Sequence, residues 1–309
     1  KEQLMACHKR IAPYIHRTPI LSSQTINEMV GAQLVFKCEN FQKMGAFKMR
    51  GAANAILQLG ELQRAKGVVT HSSGNFAQAL ALAAKSIGVK AYIVMPENAP
   101  KVKVSAVEGY GGTITMCEST IVAREQASLD ITKSTGATFI HPSNDMDVII
   151  GNGTACLELL QDDPDLDVVI APVGGGGLIA GTSLAAHFFG KHCEVIGAEP
   201  EAVNDAYRSL KSGTIETNMT TNTMADGLKT NLGDVNFPII QTYVSRIITV
   251  EEEDIVHAMR LIFERLKIVV ELSSAVALAA VIKDKDYFKG KKIGIILSGG
   301  NVDLHNLPF

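Results

Sequence analysis

The sequence predicts an α/β fold with twisted, mainly parallel sheets flanked by helices and arranged in two units. Three observations carry that expectation. Short apolar runs alternate with helical patterns, glycine- or serine-bearing turns follow several of the runs, and 309 residues is about twice the usual ~150-residue domain. Gly67–His71 (GVVTH) reads as a strand, Ser72–Asn75 as its turn and Phe76–Ile87 as an alanine-rich helix. Ala91–Met95 is the next strand, with a helix over Lys101–Tyr110 and a strand over Thr113–Cys117. The layout returns at Val168–Val173, Gly174–Gly177, Leu178–Phe189 and Glu194–Ala198, and a last strand, Lys292–Leu297, ends in Ser298-Gly299-Gly300-Asn301. In parallel sheets ligands gather at the carboxyl ends of strands, where three of these turns fall. The boundaries expected are 1–66 and 143–309 for a large domain and 67–142 for a small one.

Composition narrows the function. Hydrophobic residues make up 46% and charged ones 20%, which suits a packed globular chain rather than disorder. The net charge of −3 comes without a basic block, against a nucleic-acid or anionic-membrane partner. Val168–Gly190 is uncharged and long enough to span a membrane, but its run of four glycines and Pro172 fit a buried strand, loop and helix instead. No apolar leader stands at the start of the chain, and five scattered cysteines without a CxxC pair point to a reducing, cytoplasmic setting. Cys117 and Cys156 read as small core residues, as does His71, and no histidine spacing suggests catalytic zinc.

Two motifs carry chemistry. Gly174-Gly175-Gly176-Gly177 lets backbone N–H groups approach an anion ahead of a helix N-terminus, so a phosphate is the natural guest. The same run could be only a tight turn. Gly175, Gly177 and Ala180 also satisfy GxGxxA, so on this motif alone a dinucleotide-binding oxidoreductase stays open. In Gly45-Ala46-Phe47-Lys48-Met49-Arg50-Gly51, Lys48 sits between apolar neighbours. Most lysines are solvated helix residues, but a desolvated one becomes an amine nucleophile suited to a Schiff base. With a phosphate cradle and no P-loop lysine, a phosphate-bearing aldehyde cofactor joins the two motifs.

The strings NFQKMGAFKMRGA, SSGNFAQAL, VGGGGLIAG, MADGLK and LSGGNVD resemble the fold-type II pyridoxal-phosphate enzymes, in the serine racemase and serine/threonine dehydratase branch. The resemblance runs in order from Arg17 to Asp303. It implies that Lys48 binds the cofactor, that Gly174, Gly175, Gly176 and Gly177 hold its phosphate, and that Asn75 meets its 3-oxygen. Ser298 then faces the ring nitrogen, Phe47 packs on the ring and Gly227 lines it. Ser72, Ser73, Asn75 and Phe76 bind the substrate carboxylate, and Ser72 and Asn75 also suit a helix N-cap. Arg124 and Thr230 approach the substrate. Lys48 and Ser73 are the two acid–base groups of a racemase, since inverting a stereocentre needs one on each face. Two departures stand out: Phe76 replaces the usual His, and Val270-Glu271-Leu272-Ser273-Ser274-Ala275 lacks the usual Pro and Gly.

Serine racemisation with serine dehydration is therefore the expected activity, with a threonine or 3-hydroxyaspartate dehydratase as the alternative. The partner is a small 3-hydroxy amino acid and the assembly a homodimer. Glu199 and Asp205 follow a strand, six residues apart. Two carboxylates with intervening carbonyls such as that of Val203 suit Mg2+, Ca2+ or Mn2+, although the spacing also fits a solvated connection. The resemblance places a divalent ion there. It also implies an allosteric ATP site at Ser23, Gln24, Lys43, Met44 and Asn301, of which Gln24 and Met44 depart from the animal pattern.

Overall fold

A computed structural model describes residues 1–309. Its ten strands are β1 (Ile20–Leu21), β2 (Gln33–Cys38), β3 (Val68–His71), β4 (Ala91–Pro96), β5 (Thr113–Cys117), β6 (Thr138–Phe139), β7 (Val168–Pro172), β8 (Glu194–Pro200), β9 (Arg246–Val250) and β10 (Lys292–Leu297). They form two sheets, β1-β2-β10-β7-β8-β9 and β5-β4-β3-β6. Every pairing is parallel except β1 with β2. Helices separate successive strands because a parallel neighbour can be reached only by a crossover. The mainly parallel α/β expectation therefore holds. No helix is long and apolar enough to cross a membrane. The uncharged Val168–Gly190 stretch is β7, the glycine loop and the helix Gly177–Phe189.

Both faces of the larger sheet are buried at its centre, which is why β7 and β10 are near-continuously apolar rather than alternating. Along β7, Val169 and Ala171 join the apolar cluster on one face, Val168 and Ile170 that on the other. The first cluster extends without a break into the smaller sheet, through Met49 and Ala52 of the helix Lys48–Gln58 and Ala77 and Leu80 of the helix Asn75–Ile87. Backbones come close where helices cross at glycine. A Cβ on Gly51 would stand 2.8 Å from the Val148 carbonyl oxygen, and one on Gly151 2.6 Å from that of Arg50. The helix that begins at Lys48 is thus pressed against the helix Met146–Asp162.

A buried ion cluster fixes that contact. Arg50 donates to both oxygens of Glu39 (2.7 and 2.9 Å) and both of Glu158 (2.8 and 2.8 Å). Lys37 adds a 2.7 Å bond to Glu158 and Thr18 a 2.6 Å bond to Glu39. Burial alone would push the Glu158 carboxyl up, but hydrogen bonds from His8 and Arg50 and the charges of Arg50 and Lys37 carry it below the usual carboxylate range.

Three local expectations are corrected. Cys156 is core, but Cys117 is half-exposed because β5 is the edge strand of its sheet. His71 is half-exposed as well, its ring stacked on Phe139 at 5.3 Å and edge-on to His141 at 6.0 Å, so it borders the opening at the strand end. The helix after β3 starts at Asn75, with Gly74 at its cap and no side-chain cap bond, so neither Ser72 nor Asn75 caps it. Removing Arg50 would strand two buried carboxylates. Arg50→Leu should cost on the order of 3–5 kcal/mol, read as a lowered melting temperature, whereas a change at the exposed Lys191–Asp165 pair should cost under about 1 kcal/mol.

Candidate active site

Lys48 opens its helix from a loop that is stapled to the segment after β10. Phe47 N–H donates to the Ser298 carbonyl (3.0 Å) and Gly300 N–H to that of Gly45 (2.9 Å). Asn301 Nδ2 holds the Met44 carbonyl at 2.9 Å, where Met44 itself has a left-handed φ of 56°. The Lys48 amine donates to the Pro142 carbonyl at 2.8 Å and stands 5.0 Å from the Phe47 ring centre and 5.6 Å from that of Phe76. Burial among these groups lowers its proton affinity from the usual lysine value to about 8, against the pull of Glu271. His141 lies in the same electrostatic field. Burial, His71 and Lys48 bring it down to about 4, and its Nδ1 accepts the N–H groups of Ser143 (3.2 Å) and Asn144 (2.8 Å). A neutral ring with its proton on Nε2 follows.

The glycine loop is built to receive an anion. Gly174 to Gly177 are buried, yet no acceptor within the protein serves the backbone N–H groups of Gly174 through Ile179. Six unpaired donors at one helix start would be costly unless a ligand satisfied them. The loop needs its glycines. A Cβ on Gly175 would lie 2.5 Å from Ser143 Oγ and 2.9 Å from Thr230 Oγ1, and Gly176 has φ +81°. Asn236 donates to the Gly175 carbonyl (2.8 Å) and to that of Ser143 (3.2 Å), locking the loop. Ser143 and Asn236 escaped sequence reasoning, since no local motif marks them.

A second set of open donors lies at the end of β3. The N–H groups of Ser73, Asn75, Phe76 and Ala77 have no protein acceptor, and the Ser73 hydroxyl has no protein partner. Ser72 Oγ instead accepts Gly74 N–H at 3.3 Å. Phe76 is buried, so the usual His is replaced by an apolar wall beside the lysine amine. Asn75 Nδ2 donates to both Glu271 oxygens (3.1 and 3.0 Å) and its Oδ1 accepts from Asn301 (2.9 Å). Ser298 is buried with its hydroxyl free of protein partners, and Gly227 N–H donates to Ser273 Oγ at 2.9 Å. Arg124 stands on the helix Ile121–Thr135, with its Nε buried and unpaired and its charge felt by His71.

The remaining sequence candidates lie elsewhere or are only partly joined. Glu199 and Asp205 are both buried. Glu199 accepts the Ala206 and Tyr207 N–H groups (3.0 and 2.9 Å), Asp205 accepts Asn218 Nδ2 and Leu232 N–H (2.5 and 3.1 Å), and Val203 is buried in the turn between them. Burial pushes both carboxyls up, Glu199 further raised by Asp205, and Asp205 reaches about 6. No third His, Cys, Asp or Glu completes a ligand cluster. Ser23 caps the helix Gln24–Val30 and Gln24 pairs with Glu28. Met44 and Asn301 meet, but no hydrogen bond joins Ser23, Gln24 or Lys43 to them.

A desolvated lysine beside two rows of unpaired N–H donors is the arrangement a phosphate-bearing aldehyde needs. The model of the pyridoxal-phosphate dependent enzymes matches residues 11–299. The chain belongs to that family. It is 50% identical to the serine racemase of Dictyostelium discoideum, over 99% of this chain and 96% of that one. It is 48% identical to the beta-hydroxyaspartate dehydratase of Paracoccus denitrificans, over 100% and 98% of the two chains. The solved structure of maize serine racemase superposes with a TM-score of 0.96 at 48% identity, covering 98% of this chain and 94% of that one. The family's cofactor is pyridoxal phosphate, and the residues present fit it: Lys48 for the aldehyde, the Gly174–Ile179 donors for the phosphate.

With the cofactor stripped, the Lys48 amine should become a free base as pH rises through about 8, well below an ordinary lysine. Reductive labelling of Lys48 by a small aldehyde should climb between pH 7 and 9 and then level off, while exposed lysines go on climbing. A Lys48 profile that follows theirs contradicts the desolvated site.

Proposed function

We propose that this chain is a serine racemase that interconverts L- and D-serine and, in the same cleft, converts serine to pyruvate and ammonia. The free Ser73 hydroxyl just after β3, three residues before Phe76, whose ring centre stands 5.6 Å from the Lys48 amine, is the observation that carries the reading. When bound, pyridoxal phosphate supplies an electron-accepting ring and an aldehyde carbon that joins to amine nitrogen, which together acidify the substrate's α-hydrogen.

The chain's own groups do the rest. The open N–H groups of Ser73, Asn75, Phe76 and Ala77, with the Ser72 hydroxyl, take the substrate carboxylate. Lys48, once its nitrogen is released, takes or returns the α-proton on one face, and Ser73 on the other. Phe47 and Phe76 keep water from the lysine. A hydroxyl at Ser298 holds a ring nitrogen less firmly protonated than a carboxylate would, which suits a short-lived carbanion. In the elimination, serine loses its α-hydrogen and β-hydroxyl as water, and hydrolysis restores that water to give pyruvate and ammonia. Dehydration of 3-hydroxyaspartate is a second reading, favoured by the unpaired Arg124 Nε, a donor for a second carboxylate, and by the Paracoccus relative. Thr230, beside Gly175, serves the phosphate end as well as the substrate.

The domain division at 67–142, closing over the cleft, a homodimer and a cytoplasmic setting belong to the same proposal. Five unpaired cysteines and the two sheets support it. A divalent ion at Glu199, Asp205 and the Val203 carbonyl is also proposed, supported by two buried carboxylates that face no cation within ion-pair distance.

Ser73→Ala should abolish conversion of L-serine to D-serine while keeping formation of pyruvate from L-serine. Lys48→Ala should lose both. Chiral product analysis decides, and an unchanged D-serine to pyruvate ratio in the alanine variant defeats the assignment. Chelation followed by buffer exchange should lower both melting temperature and activity, and Mg2+ should restore them. If Mg-ATP raises activity beyond Mg2+ alone, and Lys43→Ala removes the increment, the nucleotide site stands; a flat titration removes it.

A further inference from the structure

Glu271 has no part in the chemistry above, yet its carboxyl group is buried against the amide of Asn75. It precedes the helix Leu272–Lys283, is 6% exposed, and its N–H donates to the Gly299 carbonyl at 3.0 Å. Gly299 makes room for it: a Cβ there would come within 3.1 Å of Glu271 Oε1. Both carboxylate oxygens are spent on the same Asn75 amide nitrogen, at 3.1 and 3.0 Å.

That pairing fixes which way the amide points. Asn301 Nδ2 donates to Asn75 Oδ1 and to the Met44 carbonyl, each at 2.9 Å, so its own hydrogens are committed and Asn75 must present Nδ2 to Glu271. Asn75 belongs to the helix following β3, in the smaller sheet, while Glu271 and Asn301 flank the last strand of the larger one. One amide therefore bridges the two sheets beside the lysine loop.

The charges facing Glu271 leave it without a counterion of its own. Asp226 and Lys103 lie on the side of the Gly227 turn but are paired with each other at 2.6 Å. Lys48 is within electrostatic reach, and Glu271 raises its proton affinity. From the helix Asn75–Ile87 the only facing group is the Asn75 amide, and from the segment after β10 the Asn301 N–H. Burial and Asp226 push the Glu271 carboxyl up, and Asn75, Lys103 and the Asn301 N–H restrain it at about 7.

We propose that Glu271 is a positioning residue of the cofactor site: it aligns the Asn75 amide across the cleft and sets a negative charge within reach of the lysine–cofactor linkage. This rests on the reading of Lys48 as the cofactor's anchor. A nearby anion favours the protonated, yellow form of that linkage, so removing the charge makes its proton easier to lose. At an effective dielectric of about 20, a single charge close enough to raise the Lys48 proton affinity is worth roughly tenfold in that equilibrium.

The test uses the holoenzyme. Borohydride reduction comes first and should fix the cofactor on a Lys48 peptide; if it does not, the cofactor reading itself fails and Glu271 is not at issue. With labelling intact, the visible band of the lysine–cofactor linkage is titrated with base. In Glu271→Gln its midpoint should move about one pH unit or more toward acid, with labelling of Lys48 retained. Glu271→Asp keeps the charge but draws it back from Asn75. Its midpoint should stay near that of the parent, while cofactor is lost about tenfold more readily on dialysis. Parent-like titration in Glu271→Gln overturns the charge role, and parent-like cofactor retention in Glu271→Asp overturns the alignment role. Should one variant fail to fold, the other decides alone.

Discussion

Arg50 has no water to share its charge with, so Glu39 and Glu158 must stay where they are, and with them the helix that begins at Lys48. The cluster ties the strand β2, through Lys37, and the turn after it, through Glu39, to the helix Met146–Asp162, through Glu158. Hydrophobic packing would allow that helix to slide by a fraction of a turn; a guanidinium forked between two carboxylates does not. What the cluster fixes is the depth of a lysine two residues earlier. Glycines at 51 and 151 complete the constraint by letting the two helix backbones touch.

Fixed depth matters because the cleft works by opposing electrostatic effects that each depend on distance. Burial strips the Lys48 amine of solvent, Glu271 pulls its proton affinity back up, and two aromatic faces favour the cation weakly. The outcome near 8 lies close to neutrality, where an amine can both give and take a proton. His141 is driven down by burial first, then by His71 and Lys48, and stays neutral, so it adds no competing positive charge. Around these groups, two helix starts present unpaired N–H donors, each at the carboxyl end of a parallel strand. The topology accounts for the anion sites before any side chain is considered.

This also explains which parts could be read from sequence. Strands and glycine loops were legible because each is a contiguous string: an apolar run, then a turn that only glycine or serine tolerates. Thr113–Cys117 and Lys292–Leu297 agree to the residue, and most other ends differ by one or two, where helix and turn geometry merge. The cap expected of Ser72 and Asn75 failed because Asn75 is already helical and its amide is held across the cleft by Glu271 and Asn301. Ser143, Asn236 and Glu271 were not legible as site residues. Each acts through a partner more than 30 residues away; the Val270–Ala275 string marked Glu271's neighbourhood as unusual but did not announce its partner. Cys117 misled for a related reason, since a strand's own pattern does not say that it lies at a sheet edge.

Phe76 shows how a single replacement redistributes the work in such a site. A histidine there would offer the cleft a polar ring nitrogen; phenylalanine offers only its backbone N–H and a hydrophobic face. In the proposed reading, recognition of the substrate carboxylate then falls on backbone donors, whose geometry is fixed by the strand–helix turn rather than by a rotamer, and on the Ser72 hydroxyl. Racemisation asks for a protic group on each side of a planar carbon, whereas elimination asks for one. Of the two serines that follow β3, Ser73 has the hydroxyl without a protein partner, which is why the proposed second acid–base role falls to it.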